Sequence, residues 1–426
     1  MKLTPYWLDT APTFGGAAQG PVEGRADVVV VGGGFTGLSA AHALAGHGAS
    51  VTVLEAGRVC GEASGRNGGH CNNGLAHDYA TLAQGIGAER ARAYYRAHTD
   101  AVDAVERLIR DESIDCGFHR PGRMKLAAKP DHFEKIARAY ETLRAEGVDQ
   151  DVTLVPPERI REEVGSDAFH GGMIQTRSAQ FHVGQFGVGL AEAAARAGAR
   201  VHEQAAVTGL QRVAGGRWRV TSAKGVVEAD QVFVATGAAT QGPFGWIRRR
   251  IVPVGSFIVV TEPLGRDVLD RLIPNRRNYV TSKNIGNYFR PTPDGRLLFG
   301  GRARFAMSNP REDAKSGRVL QAALADIFPE LASVRIDYCW GGLVDMTADR
   351  LPRAGERDGL FYAMGYSGHG VQMSVGTGQR MAQVMEGRAE ANPWRELSWP
   401  AIPGHFGKPW FLPFVGAYYR LQDRLH

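Results

Sequence analysis

Two rhythms of hydrophobic and polar positions alternate along this chain. Val28-Val29-Val30-Val31 is an unbroken apolar run, the pattern of a strand covered on both faces, and Val51-Thr52-Val53-Leu54 reads as a second. A helical stretch lies between them. From residue 89 to about 110, Ala91, Tyr94, Tyr95, Ala101, Val102, Val105, Leu108 and Ile109 recur at three- and four-residue steps, which predicts an amphipathic helix. Residues 122–128 alternate like a strand, and 131–146 return to helix. An alanine-rich helix over 188–199 leads into strand-like 200–202 and Val207, the spacing of another strand-helix-strand unit. Residues 218–222 and 226–235 read as strands closing on Ala235-Thr236-Gly237. Residues 251–261 and 279–301 are β-rich, with the turn Thr292-Pro293-Asp294-Gly295, and 316–328 is helical. The last unit is a strand at 360–364, a glycine turn and a helix to Met385. No internal repeat or low-complexity linker breaks this pattern.

The link between the first two strands carries chemistry. Gly32-x-Gly34-x-x-Gly37 follows the first strand and opens a helix, and the second strand ends in Glu55, eighteen residues after Gly37. Gly32 permits a tight turn, Gly34 removes a side chain where a pyrophosphate approaches the backbone, and Gly37 lets the helix lie close to its strand. Phe35 and Thr36 begin that helix, whose N-terminal amides and dipole suit a phosphate. Glu55 is placed to accept hydrogen bonds from a ribose diol, with Ala56 and Arg58 beside it. This is the arrangement a dinucleotide demands.

Composition narrows the class. The chain has 426 residues, 43% hydrophobic and 22% charged, and its formal charge is +6. That length predicts two domains. The dense basic run Arg248-Arg249-Arg250 reads as a solvated loop, and without basic clustering interleaved with aromatics no nucleic-acid groove is expected. Cys60, Cys71, Cys116 and Cys339 show neither a CxxC pair nor metal-ligand spacing, so no metal is expected and reduced thiols of a cytoplasmic protein fit better than a disulfide framework. The first residues lack a signal-peptide core, and no stretch has the length of a membrane span.

The loop Gly61-Glu62-Ala63-Ser64-Gly65-Arg66-Asn67-Gly68-Gly69 resembles the flavin-contacting loop of the D-amino-acid oxidase/sarcosine oxidase superfamily, and within it most closely the gamma-glutamylputrescine oxidase-like amine oxidases. Four further segments agree: Tyr6-Trp7-Leu8-Asp9-Thr10; residues 290–297; Trp340-Gly341-Gly342 with Asp345, Thr347 and Asp349; and Gly365-Tyr366-Ser367-Gly368-His369-Gly370. The resemblance implies an α/β, mixed α+β fold, D-amino-acid oxidase-like, with a discontinuous Rossmann-type FAD-binding domain and a β-sheet-rich substrate domain. The patterns above then divide into residues 1–88, 179–243 and 338–396 for FAD, 89–178 and 244–337 for substrate, and an aromatic tail at 397–426.

FAD is expected rather than NAD, because the chain offers two further sites that a nicotinamide would not use. Ala63, Ser64, Arg66, Asn67, Gly68 and Gly69 form a small-residue approach to the flavin. Gly365, Gly368, His369, Gly370 and Val371 end a strand and open a helix, whose dipole suits charge developing on a reduced ring. The resemblance adds Gly342 and places Val207, Thr236 and Gly237 near the adenine and ribose. Sarcosine oxidases tether FAD through a cysteine where this chain has Val344, so non-covalent FAD is expected.

The implied activity is oxidation of an amine or amino-acid C–N bond by hydride transfer to flavin N5, with hydrolysis of the imine and electrons passing to O2 to give H2O2. The alternatives are a D-amino-acid or imino-acid dehydrogenase with another acceptor, and a non-catalytic FAD-holding subunit. Expected pocket residues are His70, Tyr288, Arg290, Trp340 and His369. Tyr288 and Arg290, two apart, share a strand face, and Arg290 suits a carboxylate clamp. Leu298 stands where sarcosine oxidases carry an oxygen-activating lysine. The aromatic segment 406–420 is expected to pack on the protein's own surface or on a partner subunit rather than on a membrane, because two prolines interrupt it. The sequence leaves the oligomeric state open.

Overall fold

A parallel sheet forms where the apolar runs predict it. In the computed structural model, which describes residues 1–301 and 309–425, this sheet runs in the order Arg353–Arg357, Leu360–Met364, Gly225–Val234, Arg25–Val31, Val51–Leu54, Arg200–His202. Four of its five joins are parallel, and that between Arg353–Arg357 and Leu360–Met364 is antiparallel. Val28, Val29, Val30 and Val31 are all buried, because parallel strands are covered on both faces. A hairpin extends the sheet: Val207–Arg212 pairs antiparallel with Trp218–Ser222. Val207 therefore starts an antiparallel meander.

Small residues let the covering helices close on one another. Helix Phe35–Gly46 packs on helix Gly370–Met385 at Gly378, where an added Cβ would lie 2.4 Å from the Thr36 carbonyl oxygen. Helix Ala88–Asp111 packs on the opposite flank, with Gly376 against Ala101. Its buried Tyr94, Val102 and Val105 join the core of the parallel sheet.

The second sheet runs in the order Ile336–Met346, Val252–Thr261, Leu297–Gly301, Asn287–Pro291, Asn278–Thr281, Arg123–Leu126, Gly172–Gln175, Val152–Val155. Its joins are antiparallel except that between Asn278–Thr281 and Arg123–Leu126. Helix Pro310–Ile327, capped by the Asn309 side chain, covers one face over a core including Phe257, Tyr279, Phe289 and Phe299. Strand Ile336–Met346 thus reaches from this sheet to the dinucleotide side.

Three details differ from expectation. The helix foreseen at 188–199 is Val183–Arg196, begun earlier by the His182 ring, whose Nδ1 accepts from the Gln185 amide at 3.2 Å. Arg250 is not a solvated member of its basic run: it is half-buried and donates to the carbonyls of Trp399 and Trp246. The tail forms a helix, Leu412–Leu425, because Pro413 sits in its first turn, where a missing N–H breaks no bond. Leu412 is buried against Val252 and Val254, but Phe406, Trp410, Phe414, Tyr418 and Leu421 are exposed. None of the helices among the described residues is long and apolar enough to cross a membrane.

Candidate active site

One cavity of about 1330 Å³ runs from the glycine turn to the second sheet. It exceeds the roughly 300–1,000 Å³ of a pocket for one small ligand, so it has room for an extended dinucleotide and a substrate beside it. At the first end the walls are mostly backbone. Gly32 has φ +111°, and a Cβ there would lie 2.7 Å from the Ala235 carbonyl oxygen. At Gly34 a Cβ would lie 2.9 Å from Ser64 Oγ, which itself accepts from the Phe35 amide at 3.0 Å. Gly37 does not line the cavity; its Cβ would fall 2.0 Å from the Gly32 carbonyl oxygen, so it serves helix-to-strand contact. Thr36, Ala56 and Arg58 join the wall.

Glu55 is fixed before any ligand arrives. Its Oε2 accepts from the Gly33 amide and its Oε1 from the Gly57 amide, both at 2.7 Å, and burial pushes the carboxyl above its ordinary value. Each oxygen retains a lone pair, so the carboxylate can still accept from a diol. Val207, Thr236 and Gly237 line the same end.

The loop beside it is held from three directions. Trp7 Nε1 donates to the Asn67 carbonyl at 2.7 Å, Trp340 Nε1 donates to the Arg66 carbonyl at 2.9 Å, and Arg66 Nη1 donates to the Gly341 carbonyl at 3.0 Å. Asn67 spends its amide on the Ala63 and Ser64 carbonyls and accepts from Gly69. Ala63, Ser64, Arg66, Asn67, Gly68 and Gly342 line the cavity; Gly69 does not.

Opposite lies the turn before helix Gly370–Met385. Gly368, His369, Gly370 and Val371 face the cavity, and the helix has no side-chain cap at its N-terminus, like helix Phe35–Gly46. Gly365 lies behind the wall, its amide donating at 2.6 Å to Asp345 Oδ2. Burial pushes the Asp345 carboxyl up to about 6, against backbone hydrogen bonds that pull it down.

Of the expected pocket residues, the structure brings His70, Tyr288 and His369 to the cavity, but not Arg290 or Trp340. The Tyr288 ring fits a slot that a Cβ at Gly68 or Gly300 would fill, 5.2 Å from the His70 ring. His70 Nε2 is buried with no hydrogen-bond partner among the described residues, and burial, with Arg290 and Arg123 nearby, holds the ring well below its ordinary pKa. His70 is therefore neutral at pH 7. Arg290 is 1% exposed and donates to the carbonyls of Gly69, Phe181 and Pro291. Arg290 shares a strand face with Tyr288, as expected, but the loop at Gly69 covers it, so it braces that loop instead of facing a substrate. Trp340 is a buried strut of the same loop.

Residues missed in the sequence complete the far end. Arg123 and Lys125 line the cavity there, as do Asn72, Gln372, Ser256 and the loop containing Asn284. For Arg123 and Lys125 the signal lay in the alternation of residues 122–128, whose polar face was left without a role.

The fit to FAD is physical. Two helix N-termini without N-cap side chains, the Phe35 amide of the first taken by Ser64, meet a Cβ-intolerant glycine turn around a fixed carboxylate, while the buried Nε2 of His70 and Oε1 of Gln372 lack hydrogen-bond partners among the described residues. Residues 27–384 match the family model described as FAD dependent oxidoreductase. The chain belongs to that family. It is 34% identical over 405 residues to the gamma-glutamylputrescine oxidoreductase of Escherichia coli (strain K12), covering 94% of this chain and 93% of that one. It is 28% identical to the glycine oxidase of Geobacillus kaustophilus, covering 90% and 98%. The crystal structure of a glycine oxidase from that organism superposes with a TM-score of 0.69 at 23% identity, over 88% of this chain and 96% of the other. L-proline dehydrogenase from P.horikoshii gives 0.71 at 21%, over 88% and 98%. The fold is thus D-amino-acid oxidase-like, and the protein is an FAD-dependent oxidoreductase of the amine and amino-acid oxidase family.

Proposed function

We propose that this enzyme oxidises the C–N bond of an amine or amino acid to an imine, which water hydrolyses. The observation that carries this reading is the cavity itself, which continues from the dinucleotide end past the buried, neutral His70 to a polar chamber. The relatives named for a glutamylated amine and for glycine support the same substrate class. FAD, when bound, supplies the acceptor for a hydride. The glycine turn and the N-terminus of helix Phe35–Gly46 would hold its pyrophosphate, and Glu55 a ribose diol. Val207, Thr236 and Gly237 would lie along its adenosine half, and residues 63–69, Gly342 and the turn at 368–371 along its ring. Val344 lines the cavity and Cys71 is buried away from it, which supports non-covalent FAD.

The chain's own contribution is to orient and desolvate. The amine reacts only as free base, because its lone pair assists departure of the hydride. The burial and cations that keep His70 unprotonated also disfavour an ammonium beside it, so an entering amine is driven toward its neutral form. Tyr288, held in its slot, walls the reacting position and excludes water. Dioxygen is the electron acceptor in this reading, and hydrogen peroxide the product. A non-oxygen acceptor is the second reading, favoured by Leu298, which is fully buried outside the cavity.

Anaerobic mixing of the holoenzyme with a panel of amines and amino acids tests the proposal. At least one should bleach the flavin band, and failure of all would sink it. Peroxide formation in air then decides between the two acceptors.

A further inference from the structure

Strand Arg123–Leu126 alternates without exception: Met124 and Leu126 are fully buried in the core of the second sheet, and Arg123 and Lys125 line the cavity on the other face. At the strand rise of about 3.3 Å per residue the two side chains leave the backbone about 6.6 Å apart, side by side. Arg123 is held from behind. Asp149 accepts from Tyr95 Oη at 2.5 Å, Tyr95 Oη accepts from Gln175 Nε2 at 2.8 Å, and Gln175 Oε1 accepts from Arg123 Nη2. This chain of buried hydrogen bonds fixes the guanidinium plane, yet Arg123 Nε is buried with no partner among the described residues. Lys125 lines the cavity with an exposed side chain, and the protein around it pushes its ammonium below the ordinary value.

Among the described residues no carboxylate lies in ion-pair contact with either cation. Their nearest counter-charges, Asp149 behind the Tyr95–Gln175 relay and Asp78 beside Lys125, do not reach either cation, so two positive groups face one cavity with room for an anionic ligand between them. A carboxylate matches both: guanidinium offers paired donors in a plane and ammonium a point charge. Arg290, whose donors are taken by carbonyls, cannot fill this role.

We propose that Arg123 and Lys125 form a site for an acid group of the substrate, so that the enzyme selects amines that also carry a carboxylate over simple diamines. The inference rests on the amine-oxidation reading for the word substrate, but the site is testable as an anion site alone. Glutarate serves as the probe, titrated into the holoenzyme and followed by perturbation of the flavin spectrum and by calorimetry. Saturable binding is expected, weakened about thirtyfold or more by Arg123→Met or Lys125→Met with FAD content unchanged. Partial rescue is expected in Lys125→Arg. If Arg123→Met does not fold, the two Lys125 variants carry the test.

No glutarate binding to the parent enzyme, or equal binding to the variants, overturns the proposal. Anaerobic flavin reduction by gamma-aminobutyrate and putrescine, which have equal carbon length, provides the second arm. Reduction by putrescine as fast as by gamma-aminobutyrate overturns it as well. Glutarate binding that depends on both cations in an enzyme reduced by no amine supports the anion site and defeats the amine reading instead. If Lys125→Met slows reoxidation of reduced flavin by oxygen while glutarate binding is unchanged, the lysine serves oxygen and the proposal falls.

Discussion

At one end of the cavity the protein meets its ligand with backbone: positive-φ Gly32, side-chain-free Gly34 and the N-termini of helices Phe35–Gly46 and Gly370–Met385. At the other end it presents side chains, Arg123 and Lys125 from one strand, Tyr288 from another and Asn284 from a loop. The difference follows from what each end must do. A cofactor that is the same in every turnover can be met by amides, whose positions depend on fold alone, whereas a substrate is distinguished by charge and shape, which side chains supply. The two ends should therefore fail differently: changes at the first should empty the enzyme of FAD, and changes at the second should leave it yellow but impaired.

The largest effect is expected at Gly37. An alanine there places Cβ 2.0 Å from the Gly32 carbonyl oxygen, an overlap with backbone that no rotamer relieves. Gly37→Ala should cost more than about 4 kcal/mol and yield insoluble or FAD-free protein. The check is the ratio of flavin to protein absorbance after purification, and a full complement of FAD would break the comparison at its firmer end.

These ends were not equally legible in the sequence. The glycine turn and Glu55 lie within 24 residues of one another, so their spacing alone specifies the geometry. Arg123 and Lys125 read only as the polar face of a half-buried strand. Whether that face meets solvent or a cavity depends on how the strand pairs with Asn278–Thr281 and Gly172–Gln175, which local pattern does not encode. Arg290 failed for the related reason that a distant loop covers it. The helix within the tail went unread because prolines read as breakers unless the helix start is known.

Asp345, like Glu55 an acid among amides, makes the backbone end pH-sensitive. Its carboxyl is raised to about 6 from an ordinary value near 4. Such an acid favours the fold while protonated: its contribution is complete below about pH 4 and is lost as pH rises through about 6. The interval is worth about 3 kcal/mol. Asp345→Asn should remove that portion of the pH dependence, read as the difference between variant and parent in apoprotein melting temperature from pH 4 to pH 7. Parallel curves would show that the carboxyl does not titrate there.

Glu55→Gln is expected to act next. Glutamine preserves the shape, but its amide turns a donor toward either the Gly33 or the Gly57 N–H, both of which now donate to the carboxylate. FAD affinity should fall by about 1–3 kcal/mol, measured by quenching of FAD fluorescence during reconstitution of apoprotein. Unchanged affinity would place the ribose acceptor elsewhere.

The smallest effect belongs to the substrate end, where the C-terminal helix reaches the cavity mouth. Asp423 accepts from the Asn284 amide at 2.9 Å, the Asn284 side chain at 3.0 Å and the Ile285 amide at 2.8 Å. Tyr419 Oη, one turn earlier, accepts from Arg350 at 3.0 Å. Asn284 and Arg350 both line the cavity, so this helix positions part of its rim while its exposed aromatic face points elsewhere. Asp423→Ala leaves two amides of a partly exposed loop to water, which replaces most of what is lost, so about 1 kcal/mol of loop ordering should go. Because the loop lies at the substrate end, that loss should raise KM about fivefold with kcat and FAD content nearly unchanged. A fall in FAD content instead would mean that the rim loop also holds the cofactor, and the division between the two ends would have to be redrawn.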